Sequence, residues 1–217
     1  MSWYRYFGNI RFVFFGDVCR DMKNVTVFEA ADLVRSGGVG VMPTDTLYGI
    51  VASAFDADAV ERVYRIRGRD TGKPCIVLLA DMADLTRFGI DPDEVSRRRL
   101  SEVWPGPVSV VLPCSGAEWE YFHRGTGTIA FRVPDDPELR AFLASTGPVI
   151  APSANPAGER PAETADEARL YFSDMADFLV DGGRRSGEPS TVARFGDDGR
   201  WNVLRPGPGL PDQLPAE

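Results

Sequence analysis

Two helices stand out in the hydrophobic and polar pattern of the first third of the chain. Residues 26–38 begin with Thr26 and Glu29 in the spacing of a capping box and end in two glycines. Residues 58–68 begin with acidic side chains, place apolar residues three or four positions apart and end at Gly68. Each pattern predicts a helix with one buried face.

Short apolar runs between helical patterns predict strands along the rest of the chain. The predicted strands are 39–42, 76–79, 108–112, 129–133, 149–151, 178–180, 191–195 and 201–204, and further helices are predicted at 92–103, 137–145 and 164–172. Alternating elements favour an α/β fold, and strands separated only by a turn require antiparallel pairs. We expect a single domain with one mixed β-sheet flanked by helices.

The segment VMPTDTLYGIVASAFDADAV, residues 41–60, interrupts this pattern. Its apolar run stops at Pro43, continues through polar or turn-prone residues and then returns to small apolar ones. Two later strands also end in polar side chains, in the sequences APSAN and EPSTV. Polar groups collected at strand ends are where α/β sheets bind ligands, so these segments predict one shared binding edge.

The length of 217 residues with 43% hydrophobic residues is enough for one domain with its own core. We assign the domain to residues 22–207, with an aromatic-rich extension at 1–21 and a Pro-rich, irregular tail at 208–217. Two interpretations of the extension stay open. Either Met22 is the natural start, or residues 10–15 form an added edge strand that packs on the domain.

Charge and cysteine content narrow the functional classes. A formal charge of −8, from 24 basic and 32 acidic residues, argues against general nucleic-acid binding, so a polyanion site must be a local basic patch. The three cysteines are widely spaced without a CxxC pair, which predicts neither a disulfide framework nor a zinc site and fits a cytoplasmic protein. Because charged residues interrupt every apolar run, we expect no membrane span.

The sequence RIRGRDTGKP contains a local basic patch of this kind. Arg65, Arg67, Arg69 and Lys73 lie at a helix end against the single acid Asp70. They could be a solvated helix terminus whose cations complement the helix dipole. Alternatively, the two arginines that flank Gly68 could offer planar forks to phosphate or carboxylate oxygens.

Sequence motifs for other nucleotide, anion, metal or nucleophile sites are absent or weak. The chain has no GxxxxGK[ST] and no GxGxxG after a strand. The GTGT sequence at 125–128 could offer N–H groups to an anion, although a plain turn is the simpler interpretation. The single histidine, His123, has no neighbours in sequence for a metal site, so we expect a surface or loop residue. With one histidine and no GxSxG, a Ser or Cys nucleophile lacks its base.

Six segments in order give the chain a family resemblance. They are PTDTLYGI, RIRGRDTGKP, VWPGPVSVVL, TIAFRVPDDP, APSANPAGERPAETADEA and GEPSTVARF with VLRPG, and the resemblance that they carry covers about residues 25 to 207. Together they resemble the YrdC/Sua5 family of threonylcarbamoyl-AMP synthases, in its short form without the additional C-terminal domain. The resemblance implies a twisted mixed sheet with a large, positively charged concave cleft.

The resemblance also implies an activity, that of a nucleotidyltransferase. Such an enzyme converts L-threonine, bicarbonate and ATP into threonylcarbamoyl-AMP and pyrophosphate, and separate tRNA threonylcarbamoyl transferase machinery uses the product to modify an adenosine beside the anticodon. Mg²⁺ is expected with ATP, held mostly by phosphate oxygens and water and not by protein ligands. Positioning and charge neutralisation would matter more than a covalent nucleophile.

Individual site residues follow from the same resemblance. On the threonine side it implies Thr44 and Thr46 at the strand end, Tyr48 as a pocket wall, Arg132 facing the carboxylate, and Ser190. On the ATP side it implies Arg69, Lys73, Thr128, Ser153, Asn155 and Arg205. Arg67 and Arg69 occupy the catalytic KxR motif.

One departure from the family pattern concerns Arg67, which stands where the synthases carry lysine. Arginine keeps the charge but not the compact ammonium group, so Arg67→Lys would be expected to keep or raise activity. The family also includes YciO-like paralogues without the complete motif set. The alternative function is therefore a non-catalytic RNA-binding or translation-associated protein that uses the same basic cleft.

Overall fold

The structure is a computed structural model that describes residues 6–7, 10–11, 22–68, 75–196 and 200–210. It confirms the predicted α/β architecture, with a ten-stranded mixed sheet and helices on both faces. The helices in the described ranges are α1 Val27–Arg35, α2 Ala57–Arg67, α3 Glu94–Ser101, α4 Glu120–His123, α5 Pro137–Thr146 and α6 Ala165–Phe172, with 3-10 helices at Met82–Phe88 and Ala117–Trp119.

Twelve strands are described, and ten of them form the main sheet. The strands are β1 Tyr6–Phe7, β2 Ile10–Arg11, β3 Lys23–Asn24, β4 Gly40–Pro43, β5 Tyr48–Ser53, β6 Ile76–Leu78, β7 Val108–Pro113, β8 Thr128–Arg132, β9 Val149–Ile150, β10 Phe178–Leu179, β11 Thr191–Phe195 and β12 Trp201–Arg205. The order across the main sheet is β12-β11-β7-β8-β6-β9-β5-β4-β10-β3. Parallel pairs join β3 and β4 to β10, β6 to β8, and β7 to β11, and the other pairs are antiparallel.

Local sequence explains where the first helices begin and end. The Thr26 side chain accepts the Glu29 N–H while the Glu29 carboxylate returns to the Thr26 N–H, which completes the predicted capping box of α1. The Asp56 side chain caps α2 by accepting the Ala59 N–H, and Gly68 ends that helix with a φ of 57°. A side chain at Gly68 would be strained in this left-handed conformation, so glycine fixes where the chain turns toward residue 69.

Three strands differ from the predicted elements. Strand β5 was not predicted, because its apolar residues continue without alternation and resemble a loop beside a turn. Residues Ile10–Arg11 of the predicted 10–15 edge strand pair with β1 in a separate two-stranded sheet, and 12–15 lie outside the described residues. Strand β3, also not predicted, forms the edge of the main sheet beside β10.

Two apolar layers cover opposite faces of the main sheet. The first contains Val60 and Val63 of α2, Phe172 of α6 and inward residues of most strands, including Phe131 of β8. The second lies beneath α1 and α5, which contribute Val34, Phe142 and their apolar neighbours to it. Together these layers account for the predicted core.

On the sheet face beneath α1 and α5, the side chains change from apolar to polar between β6 and β8. Leu78 of β6 belongs to the layer beneath α1 and α5 and pairs in register with Arg132 of β8. Because side chains alternate along a strand, Thr128 and Arg132 share this face of β8 and Ser109 shares it on β7. We call the β4, β5, β6, β9 and β10 portion of this face the covered half, and the β7, β8, β11 and β12 portion the polar half.

The described residues include no helix long and apolar enough to cross a membrane.

Candidate functional site

A tight turn between β4 and β5 carries the first group of predicted site residues. The Thr44 hydroxyl donates to the Leu47 carbonyl at 2.7 Å and accepts the N–H groups of Thr46 and Leu47, each at 3.3 Å. The Thr44 N–H also donates to the Leu47 carbonyl at 2.9 Å. Thr44 is therefore used to build the turn, and its buried hydroxyl is already engaged.

The same turn directs Asp45 and Thr46 toward Arg132. The Asp45 Oδ1 atom lies 3.0 Å from Arg132 Nη2, and Arg132 Nη1 donates to the Thr46 hydroxyl at 3.3 Å. Only 4% of the Arg132 side chain and 7% of the Asp45 side chain are exposed. Burial raises the pKa of Asp45 against the opposing effect of Arg132, and burial lowers the pKa of Arg132 against the effect of Asp45.

A second cluster on the polar half contains Ser190, Arg205 and Ser109. Arg205 Nη2 donates to the Ser190 carbonyl at 2.7 Å and to its hydroxyl at 3.1 Å. The Ser190 and Ser109 hydroxyls lie 3.0 Å apart, and both side chains are buried. The charge of Arg205 contributes to lowering the pKa of Arg132, so the two clusters share one electrostatic environment.

Residues 181–190 lie between β10 and β11, and this connection passes beside the turn. Tyr48 anchors its start, since the Tyr48 hydroxyl donates to the Gly183 carbonyl at 2.8 Å and accepts the Gly182 N–H at 3.0 Å. Farther along, a Cβ atom at Gly187 would lie 3.1 Å from the Thr46 carbonyl oxygen. Tyr48 is fully buried, and its contacts show that it holds this connection in place.

The third cluster forms where α2 ends beside the chain that follows β9. Arg67 Nε donates to the Asn155 carbonyl at 3.0 Å, and Arg67 Nη2 lies 3.4 Å from the Ser153 hydroxyl and 3.3 Å from Asn155 Oδ1. Ser153 in turn donates to Asn155 Oδ1 at 2.7 Å. A bridge between Gly49 and Ser153 connects this cluster to the start of β5, so the structure brings the predicted Ser153, Asn155 and Arg67 together.

Three other residues predicted for the ATP side stand apart from these clusters or cannot be compared with them. Arg69 and Lys73 lie outside the described residues. Thr128 is half-buried at the start of β8, and its hydroxyl donates to the Thr126 hydroxyl at 3.3 Å. Thr128 shares a face with Arg132, but four residues of strand separate them by about 13 Å. The two residues therefore belong to opposite ends of the polar half.

His123 and the glycine-rich sequence after it have a structural role. The expectation that His123 lies at the surface is wrong, because it is 7% exposed at the end of α4. Its Nδ1 atom accepts the Gly125 N–H at 3.1 Å and the Gly127 N–H at 3.4 Å. These N–H groups are engaged by the histidine, which favours the plain-turn interpretation over an anion-binding loop.

Sequence reasoning did not single out Asp45 or Ser109. Asp45 lies between two predicted residues in the polar turn, and an acid in a basic cleft could have been recognised as a partner for Arg132. Ser109 is a polar position within the predicted 108–112 strand. Such a buried hydroxyl requires a hydrogen-bond partner, which identifies it as a position that faces other polar groups.

A covalent nucleophile and a protein-held metal ion both lack support in the described part of the chain. Burial raises the pKa of the Cys114 thiol to about 11, so it is not a thiolate near neutral pH. The described residues contain no group of three or more His, Cys, Asp or Glu side chains that could hold a metal ion.

Comparison with known proteins gives this arrangement a family context. The Sua5/YciO/YrdC family model, described as "Telomere recombination", matches residues 32–207. A protein of Cellvibrio japonicus named threonylcarbamoyl-AMP synthase is 34% identical over 172 residues, which cover 78% of this chain and 90% of the relative.

Solved structures agree with the sequence comparison. Pyrococcus abyssi Sua5 complexed with L-threonine is similar with a TM-score of 0.77 and 30% identity, over 86% of this chain and 57% of that chain. Escherichia coli YciO is similar with a TM-score of 0.74 and 29% identity, over 85% and 90%. The chain thus spans just over half of the Sua5 protein and most of YciO.

Proposed function

We propose that this chain, which belongs to the Sua5/YciO/YrdC family, is a threonylcarbamoyl-AMP synthase that uses L-threonine, bicarbonate and ATP. The observation that carries the proposal is the buried Arg132 guanidinium on the polar half, beside the Thr46 hydroxyl. A guanidinium next to a hydroxyl suits a small hydroxy amino acid, whose carboxylate and hydroxyl need different partners. The relative named for this activity and the Sua5 structure with L-threonine support the same assignment.

Threonine would bind among the residues gathered near the end of β8. Arg132 would take its carboxylate, and Thr46 and Ser190 would offer hydroxyl groups. Thr44 and Tyr48 contribute indirectly, because Thr44 builds the turn and Tyr48 anchors the 181–190 connection. The site would then be shaped by a rigid turn on one side and by the connection on the other.

ATP would bind toward the third cluster and the segment that follows α2. Ser153 and Asn155, held by Arg67, would face the nucleotide. Arg69, Lys73 and Arg205 would neutralise phosphate charge, and the Thr128 hydroxyl would help to hold the phosphates. The clustering of cations at the end of α2 supports this placement, since this protein has a net charge of −8 and concentrates positive charge there.

The proposed reaction requires placement of reactants more than activation of a protein group. The threonine nitrogen would first bond to the carbon of bicarbonate with loss of water, which gives N-carboxythreonine. A carbamate oxygen of N-carboxythreonine would then attack the α-phosphorus of ATP. A carboxyl oxygen–phosphorus bond forms, the bond between the α-phosphorus and the bridging oxygen breaks, and pyrophosphate leaves with the electron pair. Cationic side chains that neutralise the phosphates would supply most of the rate enhancement. This step makes the protein a nucleotidyltransferase.

Mg²⁺ is proposed to arrive with ATP. No cluster of three acidic or metal-binding side chains exists among the described residues, and the carboxylate closest to Arg132 is engaged by it. The described residues therefore do not fit a protein-held magnesium site, and phosphate oxygens and water would hold the ion.

The product would be used elsewhere. An acyl-adenylate is a reactive mixed anhydride, so a separate transferase must accept it, and we propose the tRNA threonylcarbamoyl transferase machinery as that partner. The alternative of a non-catalytic, YciO-like RNA-binding protein is not favoured, because two relatives that this chain covers over 90% and 96% of their length carry the synthase name.

Pyrophosphate release tests the proposal. Purified protein with Mg²⁺ and ATP should release pyrophosphate only when threonine and bicarbonate are both present, and omission of either serves as the control. Serine should be a poor substrate, because the missing methyl contact is worth roughly 1–3 kcal/mol. Absence of threonine-dependent pyrophosphate, together with tight and salt-sensitive RNA binding, would establish the alternative function instead.

A further inference from the structure

The ion pair between Asp45 and Arg132 is unusual because it is buried without being fully hydrogen-bonded. Although Asp45 Oδ1 and Arg132 Nη2 are 3.0 Å apart, Oδ1 accepts no aligned hydrogen bond from any described residue. Arg132 Nε is also buried without a hydrogen-bond partner among the described residues. A guanidinium with an unused buried donor is prepared to bind another group.

Asp45 is held rigidly, so it can determine where Arg132 points. It occupies the second position of the turn that Thr44 closes through its hydroxyl and backbone. The turn itself is fixed between the paired residues Pro43 and Tyr48 of β4 and β5. A carboxylate in so short a turn has little freedom to move away from the guanidinium.

The surrounding charges favour an anion at this position. Arg205 of the neighbouring cluster acts electrostatically on Arg132, so a second guanidinium adds positive charge near this position. Asp135 and Asp136 also act electrostatically on Asp45, but Asp135 is exposed and Asp136 caps α5. Because Asp45 lies against Nη2, a bound carboxylate would use the donors of Arg132 that Asp45 leaves unused, among them Nε.

We propose that Asp45 is a positioning residue that orients Arg132 so that its remaining donors select an amino acid with a free α-carboxylate. This inference rests on the proposed function, in which Arg132 binds threonine. Asp45 does not touch the substrate in this account. Its contribution is to fix the guanidinium plane before threonine arrives, which reduces the ordering cost of binding.

A comparison of two ligands in two proteins tests this role. Isothermal titration calorimetry measures the affinity of the parent and of Asp45→Asn for two ligands. The ligands are L-threonine and L-threoninamide, which lacks the carboxylate charge. We expect the parent to prefer threonine by about tenfold or more, and the variant to lose most of that preference. In steady-state assays the variant should raise the KM for threonine about tenfold while the KM for ATP changes less than about threefold.

Asp135→Asn is the matched control, because it removes a carboxylate whose charge also reaches Asp45 but which has no contact with Arg132 among the described residues. It should keep the ligand preference of the parent. If Asp45→Asn does not fold, Asp45→Glu carries the test, since it keeps the charge and displaces it by one methylene group. The same loss of preference is then expected.

The outcomes separate the two proposals. If the parent prefers threonine and both folded Asp45 variants prefer it equally, the positioning role is overturned and the proposed function stands. If the parent does not bind threonine at all, the proposed function is overturned and the positioning role with it. A loss of preference that Asp135→Asn reproduces would also overturn the inference, because it would then be a general charge effect.

Discussion

The covered half and the polar half occupy the same face of the sheet, and where they meet, two equally buried side chains have opposite chemistry. Leu78 and Arg132 are neighbours in register on β6 and β8, and they are 0% and 3% exposed. Leu78 packs within the apolar layer beneath α1 and α5, whereas Arg132 contacts Asp45 and Thr46. Burial alone therefore does not separate core from site, and the decisive feature is whether a buried side chain needs polar partners.

Removal of Arg132 should have the largest effect. Arg132→Ala leaves Asp45 as a buried charge without its partner, which should lower the free energy of unfolding by about 3–5 kcal/mol. Threonine-dependent kcat/KM should fall about a hundredfold or more, because the guanidinium proposed to bind the threonine carboxylate is lost. Urea denaturation and pyrophosphate release measure the two effects.

A double variant separates stability from activity at the same position. Arg132→Met with Asp45→Asn removes both charges, so it should recover a large part of the lost stability but none of the activity. Equal stability of the single and double variants would contradict the account of the ion pair.

Truncation in the covered half should damage stability alone. Phe142 of α5 is 3% exposed in the second apolar layer, so Phe142→Ala should cost about 3–5 kcal/mol through lost contacts and a cavity. Leu170→Ala provides the control, because its side chain is 71% exposed and the change should stay within about 0.5 kcal/mol. A clear increase in the KM for threonine in folded Phe142→Ala would weaken the division into two halves.

Arg67→Lys tests the third cluster, which lies at the end of α2 beside the binding edge of the sheet. Arg67 contacts the Asn155 carbonyl through Nε and the Ser153 and Asn155 side chains through Nη2, and an ammonium cannot reproduce this fork. We therefore expect about a tenfold loss of kcat/KM, the reverse of the expectation from the family KxR motif. Arg65→Lys, at an exposed position of the same helix, is the control. An Arg67→Lys rate at or above the parent would favour the motif-based expectation.

The smallest effect is expected at the start of α1. Thr26→Ala removes the capping box and should cost about 1 kcal/mol without a change in kcat/KM. Hydrogen bonds from the Thr26 N–H and hydroxyl hold the pKa of Glu29 below its usual value. A lowered carboxylate pKa adds stability above the unfolded-state pKa that is lost as pH falls through the folded-state pKa. The melting temperature of Thr26→Ala should lie below that of the parent at neutral pH, and the difference should be smaller at acidic pH.

Sequence patterns predicted the elements whose signals are local. The Thr26 and Glu29 capping box and the end of α2 at Gly68 are confirmed, because caps and helix stops depend on neighbouring residues. The α/β class and mixed sheet followed from the order of elements. The resemblance of the six segments correctly identified the family, since the family model matches 32–207.

Features that depend on contacts between residues far apart in the chain could not be predicted from the sequence pattern. Strand β5 owes its position to pairing with β4 and β9, and its sequence has no polar alternation to mark a face. The role of Asp45 depends on Arg132, 87 positions later, and the role of Tyr48 depends on Gly182 and Gly183. The assignments of Arg69 and Lys73 to ATP stay predictions.

Backbone amide NMR during an L-threonine titration tests most directly that the polar half is the amino-acid site. The account predicts saturable shifts at Thr46, Arg132 and Ser190, with much smaller shifts at Val34 and Phe142 beneath the covered half. The same titration with L-threoninamide should give weaker changes at Arg132. Saturable binding of threonine with shifts concentrated elsewhere, and unchanged signals from Thr46, Arg132 and Ser190, would contradict the account.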